Sequence, residues 1–354
     1  MHKVTLSMPV YNVEKYVERA LLSVLNQTFE SIEYLIVDDK GTDDSMDVVR
    51  EIIATHPRGK DVRIIDHGVN QGLGAARNSA IKGAKGEYLY CMDSDDEITK
   101  DCIEILYNKM QENPVDFVAA SHARKDTQGK TIEEFRYKDY ILKDTEKSVA
   151  HIYYFDKINI SIATWNKLYD IKFLRNNEIS CFPKHLNEDA LFTFQIILDA
   201  KTCILISNIT YFYNMTPESI MHDYKFKRTK EKDAFLVRQD MEIVNFMKKY
   251  IETYKYSMLY SYTLIHVMIT SYRFVDFTIN TFIKNKQRYI NQLVNYPLKF
   301  HEIRLLNHKR LIHYYFYFIG VSPYWLQFIS VRFFLKLFFL RKKLNKRVLL
   351  IKRT

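Results

Sequence analysis

Four short apolar runs, VTLSMPV (4–10), YLIVDD (34–39), VRIIDH (62–67) and EYLYCMD (87–93), recur at about 30-residue spacing in the first hundred residues. Each is β-rich, and helical periodicity fills the gaps between them. Asn12 is expected to cap a first helix carrying Val13, Val17, Ala20, Leu21 and Val24 on one face. Thr42 or Asp43 is expected to open a second helix with Met46, Val49 and Ile53, and Gly72 and Gly74 precede Ala75, Ala76, Ala80 and Ala84. Strands and helices alternating in this way predict βαβ units, right-handed crossovers and a mostly parallel α/β sheet. In open sheets of that kind ligands gather outside the carboxyl ends of the strands. That rule selects Pro9 to Asn12, Asp38 to Gly41, Asp66 to Gly72 and Asp93 to Glu97, and three of these four strand ends carry aspartates.

The rest of the chain is read more coarsely. Residues 100–112 predict a helix, VDFVAAS (115–121) a strand, 124–147 a polar excursion, NEDALFTFQIILDA (187–200) a helix, and CILISN and ITYFYN short strands. Beyond residue 230 the chain is rich in Tyr, Phe, Ile and Lys with helical periodicity, so a boundary is expected near 225–235, dividing 1–228 from 229–354. A share of 47% apolar and 14% aromatic residues, with 9 glycines and 7 prolines in 354 residues, excludes a disordered or collagen-like chain. Cys91, Cys102, Cys181 and Cys203 have no metal-ligand spacing and read as small buried residues of a reducing compartment. MHK runs directly into the first strand, so no signal peptide is expected and the body should fold in the cytoplasm.

Chemistry concentrates in four clusters. In YLYCMDSDDEIT (88–99) the strand ends in Asp93-Ser94-Asp95, a carboxylate-x-carboxylate spacing suited to a hard cation such as Mg²⁺ or Mn²⁺ shared with a phosphate. The competing reading is a solvated turn, with Asp96 or Glu97 capping the next helix. In VDDKGTDDS (37–45), Asp43 and Asp44 suit a helix N-terminus, whereas Asp38 and Asp39 precede the turn. Asp39 is thus a candidate acceptor for a pyrimidine or ribose donor. Arg77, one turn into the helix after NQGLG, offers a planar fork to a phosphate or stands as an exposed helix arginine. In HLNEDALFTF (185–194), Glu188 and Asp189 begin an apolar helix, either as first-turn acids or with one of them as a general base for a sugar hydroxyl.

Taken in order, VTLSMPVYNVEKYVERALLSVLNQTF, EYLIVDDKGTDDS and NQGLGAARNSAIKGAKGEYLYCMDSDD resemble glycosyltransferase family 2 proteins of the GT-A fold, the group that contains bacterial cell-surface polysaccharide transferases. The match is dense from residue 3 to about 100 and thinner through WNKLY (165–169), NEDALF (187–192) and YFYNMTPESIMH (211–222). The resemblance implies an inverting transferase using a nucleotide-diphosphate sugar, by family habit a UDP-sugar, and Mn²⁺ or Mg²⁺. It implies a nucleotide-sugar half of about 1–98 and an acceptor half of about 99–228. By position Pro9, Tyr11 and Asp39 correspond to a base-binding set and Arg77 to a nucleotide contact. Asp93, Ser94 and Asp95 correspond to the DxD motif, with Asp95 the first choice as metal ligand, Asp93 its companion and Asp96 an understudy. Asp189 corresponds to the catalytic base, and Trp165, Asn166, Lys167 and Glu188 to the acceptor side. His222 follows ESIM where some relatives place a histidine near the diphosphate, and it reads either as a metal ligand or as a surface or packing residue. Relatives commonly read VDDGS; Lys40 and Gly41 stand in those places, which puts that loop's backbone angles in question.

The net charge of +10 is carried by the tail. From Arg304 to Thr354 there are twelve Lys or Arg and no Asp or Glu, leaving −2 for the preceding residues. LIHYYFYFIGVSPYWLQFISV (311–331) holds no Lys, Arg, Asp or Glu, but it is interrupted by Gly320, Ser322, Pro323 and Gln327 and carries five Tyr or Trp. The next segment, 332–353, mixes apolar residues with nine basic ones, the composition of a helix on an anionic membrane surface. Peripheral attachment to the inner face of a membrane is the expectation, and it suits a glycan or lipid-linked acceptor. A basic helix packed on its own domain is the alternative, and homo-oligomer formation is left open. Nucleic acid is not expected as a partner, because the apolar faces are too large. Two rival functions remain. A sugar nucleotidyltransferase would need a Gly-rich basic loop after the first strand, where PVYNVEKYV has no glycine; a non-catalytic membrane module would have no use for Asp95 and Asp189.

Overall fold

The computed structural model describes residues 2–143, 147–216, 229–255, 257–279, 281, 285–306 and 308–351, with the side chains of 279 and 339–351 excepted. The chain divides into two compact units, Met1–Ile220 and Met221–Thr354.

The first unit is built on one ten-stranded sheet. Strands β1 (Val4–Val10), β2 (Ile32–Asp38), β3 (Val62–Asp66) and β4 (Tyr88–Cys91) are mutually parallel, joined by helices α1 (Glu14–Leu25), α2 (Ser45–Thr55) and α3 (Leu73–Gly83). Both faces of the central strands are covered, so they read as continuous apolar runs. Ile32, Tyr34 and Ile36 share a core with Val17, Leu21 and Val24 of α1, while Leu35 and Val37 turn to the opposite face, against Ala76 and Ala80 of α3. Pro9 lies two residues beyond Ser7, the last β1 residue paired with β4, so its missing N–H removes no bond on that side.

Beyond β4 the parallel pattern breaks. The short β5 (Glu97–Ile98), α4 (Cys102–Glu112) and β6 (Phe117–Lys125) follow, and then β7 (Thr131–Phe135) and β8 (Tyr140–Leu142) occupy the stretch expected to be an irregular excursion. After α5 (Val149–Tyr154), in a region whose preceding residues 124–147 are expected only as a polar excursion, β9 (Lys167–Asp170) inserts antiparallel between β4 and β6 and leads into α6 (Ile171–Asn176). Helix α7 (Glu188–Asp199) precedes β10 (Cys203–Asn214), where a bulge near Ile206 to Ile209 joins the two short strands expected there into one. All four cysteines are buried and free.

The second unit is helical: α8 (Lys230–Tyr250), α9 (Met258–Ile279), α10 (Lys286–Val294), α11 (Arg310–Val321) and α12 (Tyr324–Ile351). The long uncharged stretch is therefore two helices, broken at Ser322 and Pro323. Among the described residues no helix is long and apolar enough to cross a membrane.

Candidate active site

The carboxyl ends of β1, β2 and β3 meet around two loops. Asn12 takes a left-handed φ of 51° instead of capping α1, and its Oδ1 accepts from the Thr42 N–H at 2.7 Å. Asp43 replaces it as the local anchor, accepting from the Glu14 N–H at 3.0 Å and from the Ser45 N–H at 3.2 Å. A Cβ on Gly41 would stand 2.7 Å from Asn12 Oδ1, so a side chain cannot fit there. Lys40 accordingly supplies the left-handed residue, φ 56°, and its Nζ bonds Asp38 Oδ2 at 3.1 Å and Asp66 Oδ2 at 2.7 Å.

Asp39 ties the β3–α3 loop to this edge. It is buried, and its Oδ1 accepts from the Gln71 N–H at 2.8 Å and contacts His67 Nδ1 at 2.7 Å. Its Oδ2 accepts from the Gly72 N–H at 2.9 Å and Asn70 Nδ2 at 3.1 Å. Gly72 makes its bond from a φ of 87°, open to glycine at no cost. Both oxygens of Asp39 are therefore engaged by protein donors. A shallow pocket of about 200 Å³ lies alongside, lined by Tyr11, Asn12, Asp38, Lys40 and Arg50 among others. The Tyr11 ring, 42% exposed, is available as a face.

Arg77 is neither exposed nor directed at open space. Its side chain is 2% exposed, and its fork gathers three carboxylates: Nη1 donates to Glu188 Oε1 at 2.7 Å and Asp189 Oδ1 at 2.6 Å, and Nη2 to Asp93 Oδ1 at 2.8 Å. Burial works against the Arg77 charge, but the three acids outweigh it and hold its pKa far above the ordinary range. The helix start of α7 and the end of β4 are thereby fastened together. Asp189 Oδ1 also accepts from the Thr164 N–H at 3.2 Å and from the Thr164 hydroxyl. Its side chain is 27% exposed, and Oδ2 has no hydrogen bond among the described residues. Burial raises Glu188 to about 7, with the Asp189 charge adding and Arg77 opposing.

The acid run splits into two roles. Asp93 and Asp95 retain partial access beside buried Ser94. Burial lifts the pKa of Asp93 against the pull of Arg77, and burial followed by the Asp93 charge lifts Asp95 to about 6. Ionising both is costly without a further positive charge. Among the described residues Asp95 Oδ2 meets only the Thr216 hydroxyl, at 3.4 Å. Asp96, by contrast, is fully buried, accepting from Tyr211 Oη at 2.6 Å and the Asn214 N–H at 2.8 Å; burial and the two neighbouring aspartates raise its pKa strongly. It caps no helix, since α4 begins at Cys102, and each of its oxygens already has a protein donor. Glu97 belongs to β5 and pairs with Arg19 at 3.2 Å. Among the described residues no group of three or more His, Cys, Asp or Glu is placed to hold a metal, and His222 lies outside them.

The WNKLY segment is mostly interior. Asn166 Nδ2 donates to the Ala120 and Ser121 carbonyls at 3.0 and 2.9 Å, and Oδ1 accepts from Tyr90 Oη and Thr210 Oγ1. With all four positions filled, Asn166 locks β9 into the sheet. Lys167 is buried with Nζ on the Ala163 carbonyl, and burial lowers its pKa to about 8. Trp165 stacks on Tyr211 at 4.3 Å and 5°. Sequence reasoning misses Thr164 as a site residue, although its position just before this motif is a usable signal.

The profile of the Glycosyl transferase family 2 domain matches residues 5–161. An uncharacterized glycosyltransferase of Haemophilus influenzae is 32% identical over 209 residues, 59% of this chain and 77% of that protein. The poly(ribitol-phosphate) beta-glucosyltransferase of Bacillus spizizenii is 33% identical over 216 residues, covering 60% of this chain but 32% of that longer protein. In fold, S. aureus TarS 1-349, solved in complex with UDP, superposes with a TM-score of 0.59 at 19% identity, over 93% of this chain and 89% of that one. A mixed sheet with a parallel N-terminal half, flanked by helices, acids at that half's carboxyl edge and these relatives agree: the chain belongs to glycosyl transferase family 2 and has its GT-A fold.

Proposed function

We propose that this glycosyltransferase transfers a sugar with inversion from a UDP-sugar to a hydroxyl of a glycan or lipid-linked acceptor in surface polysaccharide synthesis. The observation that carries the reading is the Arg77 fork, which puts Asp189 beside Asp93 and leaves Asp189 Oδ2 without a partner among the described residues. Asp189 takes the acceptor proton as the hydroxyl oxygen bonds to the anomeric carbon. The bond from that carbon to the diphosphate breaks on the opposite face, and the nucleoside diphosphate leaves with the electron pair. Arg77 acts as a positioning residue for both acids. Pro9, Tyr11 and Asp39 form the base-binding set, with Tyr11 as stacking face and Asp39 shaping the loop that borders it. The Asp93 and Asp95 carboxylates are hard oxygen donors, that of Asp93 already balanced in part by Arg77 and that of Asp95 with no cation at hydrogen-bond distance among the described residues, a set that would hold Mg²⁺ or Mn²⁺; bound there, the ion would supply charge neutralisation for the departing diphosphate.

The domain reading assigns donor binding to about 1–98, the acceptor side to about 99–228, where Trp165 and Glu188 are the nearest candidates, and membrane contact to 229–354. Supporting the last are exposed Trp325, Ile329, Phe333 and Leu337, four residues apart along α12, alternating with exposed Arg332 and Lys336 while Val331 and Leu335 are buried. Such a stripe suits the inner face of an anionic membrane. Sedimentation with phosphatidylglycerol vesicles should retain the wild-type chain and lose most of Trp325→Glu/Phe333→Glu; equal retention would remove this attachment surface.

The central test is Asp189→Asn. Calorimetric titration with UDP-glucose and UDP-N-acetylglucosamine, in Mn²⁺ and in chelator, should show donor binding in both wild type and variant. Turnover, read as UDP release, should fall by about 10²- to 10⁴-fold in the variant, the usual worth of a general base. Unaltered turnover would sink the base assignment, and binding of neither donor would sink the donor class.

A further inference from the structure

A second cavity lies in the helical unit, far more polar in its makeup than its surroundings. It is about 570 Å³, and its walls include Asn245 of α8, Gln287, Asn291, Gln292 and Asn295 on or beside α10, and Gln327 of α12. Six carboxamides thus face one space, and among the described residues no Lys, Arg, Asp or Glu lines it, in a chain whose residues are 27% charged. The remaining wall comes from the α11–α12 turn, including Tyr324.

Gln327, one of the six, packs its amide into the wall of this space. It is 3% exposed, and Nε2 donates to the Ser322 carbonyl at 2.9 Å and the Gly320 carbonyl at 3.4 Å, which fixes the orientation of its amide. Its Oε1 is then a buried acceptor with no hydrogen-bond partner among the described residues. With no accessible surface, that acceptor stays unmet within the wall, at a cost of about 1–3 kcal/mol. Solvent-facing Asn291 and Asn295 complete a wall that donates and accepts at once.

From this we infer that the amide-lined cavity of the second unit binds a neutral polyhydroxylated chain, a glycan segment held away from the catalytic acids. An anion would call for Arg or Lys, a cation for carboxylates and an apolar ligand for apolar walls. Carboxamides match hydroxyls, which also donate and accept. The source of such a glycan, an acceptor or product chain, rests on the transferase reading above; the chemistry of the cavity does not.

The test uses the full chain carrying Asp189→Asn, so that turnover does not alter the probes. Saturation-transfer NMR with maltotriose and triacetylchitotriose should show contact for at least one. A trigalacturonate, as anionic control, and triglycine, as peptide control, should show none. Asn291→Leu/Asn295→Leu, at exposed positions, should weaken the response at least about tenfold, the worth of one or two lost hydrogen bonds. Titration with UDP-glucose should be unchanged in the same variant. Gln327→Leu, which removes the Nε2 bonds to the Gly320 and Ser322 carbonyls that shape this wall, should also weaken the response, and the surface pair keeps the test decisive if that buried change prevents folding. Silence from both neutral trisaccharides, an equal response in the surface variant, or preferential contact with triglycine or trigalacturonate would overturn the proposal. A lasting maltotriose response with no UDP-sugar binding would overturn only the donor reading.

Discussion

At the sheet edge of the first unit Arg77 is buried among other ions, whereas Asp240 and Lys248 of the second unit lie alone or on neutral partners. Arg77 holds Asp93, Glu188 and Asp189 within 2.8 Å. In α8, Asp240 is buried with no hydrogen bond or ion pair among the described residues, and burial alone raises it to about 7. Lys248, half-buried in the same helix, has Nζ on the Leu293 and Asn295 carbonyls, and desolvation lowers it to about 8. The contrast separates two uses of burial. At the sheet edge the acids are gathered around a guanidinium that balances them. Burial pushes acids toward neutrality in both units, but only at the sheet edge does an opposing charge, Arg77, answer it; Asp240 has no such partner among the described residues.

Removing Arg77 should break the contrast most severely. Arg77→Met leaves three carboxylates with no counter-ion, a change that costs about 3–5 kcal/mol for a well-buried pair. Asp93 and Asp189 are each about a quarter exposed, so the lower end applies. The melting temperature at pH 8 should drop by several degrees, and turnover should be lost. The deficit should shrink toward pH 5 as Glu188 and its neighbours take up protons. A variant that melts like wild type at pH 8 would mean that the clamp carries no stability.

Asp240→Asn should move stability the other way. The Asp240 pKa is raised on folding, so its stabilising contribution is fully present below about pH 4 and is lost as pH rises through about 7. Asparagine does not ionise, so the variant should match wild type near pH 4 and exceed it by about 2–4 kcal/mol above pH 7, since each tenfold change in proton affinity on folding is worth about 1.36 kcal/mol. Denaturant midpoints measured from pH 4 to 8 check this. A gain independent of pH would show that Asp240 is not the titrating group.

These differences also explain what the sequence could and could not disclose. The four parallel strands lie within a few residues of their apolar runs, and the acids stand at their carboxyl ends, because alternation is a local property. Partnership is not local. Arg77 finds Glu188 and Asp189 111 and 112 residues downstream, so the sequence showed an arginine suited to phosphate but not the acids that already hold it. Asp39 likewise reads as a lone acceptor until the β3–α3 loop folds onto it. Asn166 and Lys167 read as acceptor-side polar residues because nothing in WNKLY reveals that β9 slips antiparallel between two strands distant in sequence. Asp96 differs from Asp95 only in what β10 brings to it.

The smallest expected effect concerns the one motif departure visible from the start. Lys40 stands at a left-handed position, where a Cβ costs roughly 1–2 kcal/mol. It meets Asp38 and Asp66 in return, pairs that solvent screening at this edge keeps weak. Lys40→Ala keeps the strain and loses the pairs, so it should lower the denaturant midpoint slightly. Lys40→Gly loses the same pairs but relieves the strain, partly offset by the greater freedom of glycine in the unfolded chain. It should therefore exceed the alanine variant in stability and fall close to wild type. The difference between the two variants isolates the backbone from the charge. If alanine and glycine prove equal, Lys40 is not strained, and the ionic bridge alone accounts for its place in the loop.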